Sequence, residues 1–196
     1  MKRRCLLSTL TLGAVVLFPS AALYAANIDF ETLADLTSVG GFYGSQGVTF
    51  QSAISLTAGA SLNELDFPPH SGSVVIGDDV LNNGDPMLLN FSTPVNSLSA
   101  FFAYSSQLRF TAYDAGGNLL GTFNTLSGSH LGSMEEISIP FSDIALLDIS
   151  GTVANSFTMD DLSFQPNASV PDITATLPLL GTASLMLWGL RRRARA

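Results

Sequence analysis

Leu108-Arg109-Phe110-Thr111-Ala112-Tyr113, followed by Asp114-Ala115-Gly116-Gly117-Asn118 and then Leu119-Leu120-Gly121-Thr122-Phe123, is the stretch that decides the fold class. Two short β-prone runs flank a connection whose consecutive glycines supply the positive φ that a tight reversal needs, which predicts a hairpin. The same texture runs outward in both directions. From Asn27 to Ser169, short apolar or alternating runs are separated by Gly, Asn, Asp and Pro, with no amphipathic helix longer than a few turns. Strands are predicted over Ile28–Glu31, Gly47–Gln51, Ser73–Ile76, Met87–Phe91, Leu98–Tyr104, Gln107–Tyr113, Leu119–Asn124, Glu135–Ile139, Ile144–Ile149 and Ser156–Phe164. Their number and spacing predict an all-β, antiparallel sandwich. Residues 27–169 have the length of one domain and can bury a sizeable core.

Two gaps between strands are long for a compact domain. Thr32 to Ser45 holds Gly40, Gly41 and Gly44 around Phe42 and Tyr43, and Ala58 to Ser71 holds Pro68-Pro69. Both read either as binding loops or as covers over sheet edges. Leu62 to Leu65 fits a single helical turn. Asp78-Asp79, with Asn82, Asn83 and Asp85 nearby, lacks the spacing of a calcium-binding loop and reads as a turn cluster.

Charge is partitioned along the chain. Of the eight basic residues, only Arg109 lies between residues 27 and 169, against fifteen carboxylates, so this body carries a net charge of −14. Such a surface repels phosphate backbones, which excludes nucleic acid as a partner. Met1-Lys2-Arg3-Arg4 is a basic start, Leu6 to Phe18 is apolar, and Leu23-Tyr24-Ala25 precedes a cut near Ala25 or Ala26, the pattern of a signal peptide over residues 1–26. Cys5, the only cysteine, leaves with it, so the mature body has no disulfide or thiolate chemistry.

The other end has three parts in order. Val170-Pro171-Asp172 is followed by an apolar segment over residues 173–190 and by a basic end over 191–196 that contains Arg191, Arg192, Arg193 and Arg195. About 18 residues at about 1.5 Å each make some 27 Å of helix, enough to cross a hydrocarbon core, with the arginines held on the cytoplasmic side as a stop-transfer cluster. Pro178 and Gly181 weaken it as a permanent span, since proline costs about 3 kcal/mol inside a helix. This tail resembles the PEP-CTERM class of bacterial sorting signals, in the variant beginning Val-Pro-Asp. Thr174, Thr176 and Leu179-Leu180-Gly181 fit that variant, whereas the second proline of the commoner motif is missing. The resemblance implies processing by an exosortase-type enzyme, a membrane anchor that holds the chain before processing, and delivery across the inner membrane to the cell envelope, surface or extracellular matrix.

The body has a resemblance of its own. Ile28-Asp29-Phe30-Glu31, Tyr43 with Gly47-Val48-Thr49-Phe50, Phe91 with Pro94-Val95, Ala112-Tyr113-Asp114, and Met159-Asp160-Asp161-Leu162-Ser163-Phe164 are similar to the jelly-roll ectodomains attached to such tails. In outline these are similar to carbohydrate-binding modules. That resemblance implies association with exopolysaccharide in a matrix or biofilm. It also implies a structural calcium ion flanked by acidic residues of the first and last strands, here Glu31, Asp160 or Asp161, with Asp29 as a weaker fourth. Calcium takes 6 to 8 oxygens at about 2.3–2.6 Å, and antiparallel terminal strands can bring them together. Alternation sends Asp160 and Asp161 to opposite faces unless a bulge intervenes, and solvated strand-end carboxylates are the competing reading.

Signals of catalysis are lacking. His70 and His130 are the only histidines, and no metalloprotease, nucleophile-elbow, phosphate-loop or dinucleotide motif occurs. The chain therefore reads as non-catalytic, although a pair of carboxylates suited to a small polysaccharide hydrolase is not distinguishable by sequence. Sugar platforms rest on exposed aromatic rings. The one tryptophan, Trp188, lies in the tail, which leaves Phe42, Tyr43, Tyr104 and Tyr113 as the platform, with core filling as their competing role. Of the adjacent pair Phe101 and Phe102, one should face the core and the other the opposite face. A structural surface protein that makes protein contacts is the main alternative to polysaccharide association.

Overall fold

A computed structural model describes residues 25–79 and 86–167. The segment read as a signal peptide, apart from its last two residues, and the whole segment read as a sorting tail lie outside the described residues. Among those described, no helix is long and apolar enough to cross a membrane.

Ten strands are described: β1 (Ala26–Ile28), β2 (Val48–Gln51), β3 (Ala53–Thr57), β4 (Val74–Asp78), β5 (Met87–Tyr104), β6 (Arg109–Tyr113), β7 (Leu119–Asn124), β8 (His130–Ser138), β9 (Ile144–Ser150) and β10 (Phe157–Pro166), with one 3-10 turn at Gly44–Gln46. The strands form one continuous antiparallel sheet that β5 divides into two halves. Residues 87–91 of β5 pair with β2 on one side and β9 on the other, and β9 continues to β6 and β7. Residues 98–104 pair instead with β8 and with β10, which continues to β4 and β3 and also carries β1.

The halves face each other across one core. Met87, Leu89 and Phe110 of the first half join Phe102, Met159 and Phe164 of the second in a single buried cluster. Phe102 meets Phe110 edge to face at 5.4 Å between ring centroids. Edge-to-face aromatic pairs are worth about 0.5–1.5 kcal/mol beyond their area burial, so this contact ties the halves directly. Along β5 the residues facing the core run Met87, Leu89, Phe91, Val95 and then Leu98, Ala100, Phe102, Tyr104, and Ala103 is buried on the other face. The parity of the inward face therefore changes at the exposed pair Asn96-Ser97, where the strand passes between the halves.

The predicted hairpin forms as β6 and β7. Its connection is fixed by the Asp114 carboxylate, which accepts the N–H groups of Gly116 and Asn118 at 2.8 Å each, while Gly117 takes φ 77°. Asn118 holds Asp114 below the usual carboxylate range.

Two readings change. The separate strands predicted before and after Pro94 are one element of 18 residues. Register jumps there from Asn90 opposite Leu146 to Val95 opposite Ile144, so the missing proline N–H falls at a break in the ladder. Strand β3 was not predicted. A single residue, Ser52 at φ 55°, separates it from β2, so the two strands read in sequence as one run and its flanking loop.

Both long gaps act as covers. In the first, Leu36 and Val39 donate to the carbonyls of Ser55 and Ala53, which extends the sheet past β3. The second lies against β10: the backbone N–H groups of His70 and Ser71 donate to Asp160 at 2.9 and 3.0 Å. Within it, the N–H of Phe67 closes on the Asn63 carbonyl, a single helical turn placed slightly after the predicted one.

Candidate functional site

Where β5 crosses between the halves, alternation leaves a row of small hydroxylated side chains on the outward face. Ser138 of β8 is opposite Ser99 of β5, Ser99 is opposite Ser163 of β10, and Ser163 is opposite Asn27 of β1. Their neighbours Leu98, Ile137 and Leu162 point inward and are buried, as the period of two requires. Beside this row runs a groove of about 390 Å³, lined by Ser99, Ser138 and Ser163, by Asn96 and Ser97 at the crossing, and by Pro140, Phe141 and Ser142 of the β8–β9 connection.

Phe141 forms one wall. It is half-buried, and its ring lies where a Cβ at position 121 would stand, so Gly121 of β7 makes room for it. The connection is fixed at its far end, where the Asp143 N–H donates to Asn96 Oδ1 at 3.3 Å and the Asn167 amide donates to the Asp143 carboxylate. Among the described residues, none that lines the groove carries a charge. Chemically the groove offers hydroxyl and amide groups that donate and accept, an apolar ring and no ion, which suits an uncharged hydroxylated ligand. The sequence contained a signal for it: serines at the outward positions of three strands that become neighbours only through their pairing.

The predicted acidic residues also converge, on the loop from His70 to Val74. Glu31 accepts from the N–H groups of Ser73 and Val74 at 2.9 and 2.8 Å and from the Ser73 hydroxyl at 3.3 Å. Asp160 accepts from His70 N, Ser71 N and Asp161 N. Asp161 accepts from the Ser71 hydroxyl at 2.9 Å and meets His70 Nδ1 at 2.6 Å. The His70 ring in turn stacks on Phe101, with centroids 3.4 Å apart and planes 11° from parallel.

A bulge does intervene between Asp160 and Ser163, and Asp161 takes φ 46°. This turns both carboxylates toward one loop, although Asp160 is fully buried and Asp161 is not. Burial pushes the Asp160 carboxyl up to about 6; the N–H of Ser71 opposes that rise and the charge of Asp161 adds to it. Asp29 accepts the Glu31 N–H at 3.3 Å.

As placed, these oxygens do not fit a calcium ion. Each carboxylate already faces N–H or O–H groups whose positive ends would point at the cation, and among the described residues no group of three or more His, Cys, Asp or Glu is arranged to hold a metal. Asp78 and Asp79, read as a turn cluster, are buried, and Asn82, Asn83 and Asp85 lie outside the described residues.

The four rings named as a sugar platform do not form one. Tyr43 is buried against Phe30 and Phe50, and Tyr104 is fully buried at the end of β5 with its hydroxyl donating to Glu135. A ring whose faces are packed has none to offer a sugar. Burial raises both phenols, and Glu135 adds to the rise at Tyr104. Phe42 is exposed and meets Tyr43 edge to face at 5.0 Å, while Tyr113 is half-buried at the end of β6. Phe102 faces the core and Phe101 the opposite face, as alternation requires.

No family model matches the chain, and a search of curated proteins finds no match. Among solved structures, the chain is similar to a DUF4465 family protein from Bacteroides caccae, at 12% identity over 76% of this chain and 88% of that chain, with a TM-score of 0.39. It is similar to a family 35 carbohydrate binding module from Clostridium thermocellum, at 15% identity over 60% and 90% of the two chains, with a TM-score of 0.35. It is also similar to a Streptococcus pneumoniae fucose binding module, at 10% identity over 76% and 94%, with a TM-score of 0.32. The assignment of a ligand rests on the site itself.

Proposed function

We propose that this chain is a secreted, non-catalytic β-sandwich protein that associates with exopolysaccharide through the groove beside Ser99, and that its tail is a sorting signal processed by an exosortase-type enzyme. The observation that carries the first part is the uncharged, hydroxyl-lined groove with Phe141 as its wall. Hydroxyl and amide groups can exchange hydrogen bonds with a glycan, and the ring can cover the apolar face of a pyranose. The body's charge of −14 opposes anionic polymers, so the reading favours neutral glycans. Support for the second part is the order of motif, apolar segment and arginines at residues 170–196. Exported to the envelope or matrix, such a domain would fasten itself to secreted polysaccharide.

The test is binding of the purified protein to the producer's own exopolysaccharide and to a neutral glycan panel. Ser99→Leu fills the groove from an outward position without entering the core, and it should weaken binding by about tenfold or more. Saturable binding unaffected by Ser99→Leu and by Phe141→Ala would place any glycan contact elsewhere. No binding at all would sink the polysaccharide reading and favour protein contacts, for which the open edge of β7, with Leu119 and Leu120 exposed, is the available surface.

A further inference from the structure

A second cavity, of about 200 Å³, lies between the loop after β3 and the outward face of β3, β4 and β10. Three features define its floor. Thr158 of β10 is 3% exposed, and its Oγ1 is buried without a hydrogen-bond partner, an arrangement that costs about 1–3 kcal/mol when nothing compensates it. Opposite Thr158 in the register is Gly77 of β4, a glycine inside a strand that has no positive φ. Glycine at such a position marks a close approach by a backbone or a ligand. Here a Cβ would stand 3.2 Å from Leu56 Cδ1 and 3.4 Å from the Phe157 carbonyl oxygen. Next to Gly77, the Asp78 side chain is 3% exposed and accepts the backbone N–H of Asn155 at 2.5 Å.

The remaining walls are mixed. Leu56 comes from β3, and the loop above contributes Leu62 and Phe67 together with Ser61 and Asn63. The cavity thus combines the apolar Leu56, Leu62 and Phe67 with the hydroxyls of Ser61 and Thr158, the amides of Asn63 and Asn155, and the Asp78 carboxylate. Among the described residues no basic side chain lines it, so the lining offers an anionic ligand no positive charge. Its volume is below the usual range of about 300–1,000 Å³ for drug-sized ligands, which limits the occupant to a single small ring.

We propose that this cavity binds one neutral sugar ring or cyclic polyol, with its C–H face against Leu56, Leu62 and Phe67 and its hydroxyls toward Asp78, Asn155 and Thr158. The site is separate from the groove beside Ser99 and shares no lining residue with it. It therefore stands independently of the proposed polysaccharide association.

Saturation-transfer NMR on the purified full-length protein tests it, with glucose, galactose, mannose, N-acetylglucosamine and myo-inositol as probes and glucuronate as the anionic control. At least one neutral probe should bind saturably. Thr158→Val, which keeps the side-chain shape, should weaken that binding about tenfold, and Gly77→Ala, which raises the floor, should weaken it as well. Leu126→Ala, at a fully exposed position outside both sites, should leave it unchanged. The proposal is overturned if no neutral probe binds at tens of millimolar, or if glucuronate binds as well as the neutral rings. Binding insensitive to both Thr158→Val and Gly77→Ala, or abolished by Leu126→Ala, overturns it too.

Discussion

Asp160 is a buried carboxylate held by three backbone N–H groups, with Asp161 beside it and its pKa pushed up to about 6 mainly by burial. A folded-state pKa above the ordinary value means that the native protein favours the protonated form. The stabilisation is complete below the unfolded carboxylate pKa and is lost as pH rises through about 6. We expect the wild type to gain about 1–2 kcal/mol relative to Asp160→Asn between pH 7.5 and pH 4.5, after allowance for solvent screening. Denaturant unfolding of both proteins at the two pH values measures it, and a pH-independent difference would refute this account of Asp160. Glu31 shows the same economy of space on the other side of the loop: Gly72, at φ 53°, leaves room for its carboxylate, which a Cβ would overlap. The sequence marked Glu31, Asp160 and Asp161 as a set of acidic residues at strand ends. That they grip the loop from His70 to Val74 was not legible, because the loop lies some ninety residues from Asp160 and meets it only through folding.

At the level of elements, β3 shows how a short strand can be hidden between neighbours. Its central residue, Ser55, is fully buried; the hydroxyl accepts from Thr37 N at 3.0 Å and donates to the Ala34 carbonyl. Together with backbone bonds from Leu36 to Ser55 and from Ser55 to Thr37, it fastens the preceding loop along the sheet edge, where unpaired backbone would otherwise be open to other chains. Ser55→Ala removes these part-buried hydrogen bonds, so it should cost about 0.5–1.5 kcal/mol. Amide exchange should accelerate at Thr37 and Leu36 while β9 and β10 stay protected. Unchanged exchange at Thr37 would mean that the loop is held by other contacts. The hairpin of β6 and β7, in contrast, was legible apart from a first strand that starts two residues later than predicted and a bulge at Ala112: its turn is closed by Asp114, Gly117 and Asn118, all within the segment itself.

Over the whole molecule, the division of charge separates an acidic folded body from basic ends, and the proposed sorting tail belongs to this scale. Replacing Pro171-Asp172 with Ala-Ala should leave the melting temperature of the body unchanged and abolish tail processing in the native cell, read as retention of the longer form in membranes. Normal processing of the variant would remove the sorting reading without touching the fold. The sequence by itself determined the all-β class, most of the strands, the central hairpin and the acidic surface, since each depends on local periodicity, turn chemistry or composition. Only the tertiary structure decided that Tyr43 and Tyr104 fill the core, that β5 serves both halves of the sheet, and that serines of β5, β8 and β10 line one groove. Alternation fixes which residues share a face. Which of the two faces is buried, and which distant strands become neighbours, depends on pairing, on bulges such as the one after Asp160, and on the shared core that closes between the halves.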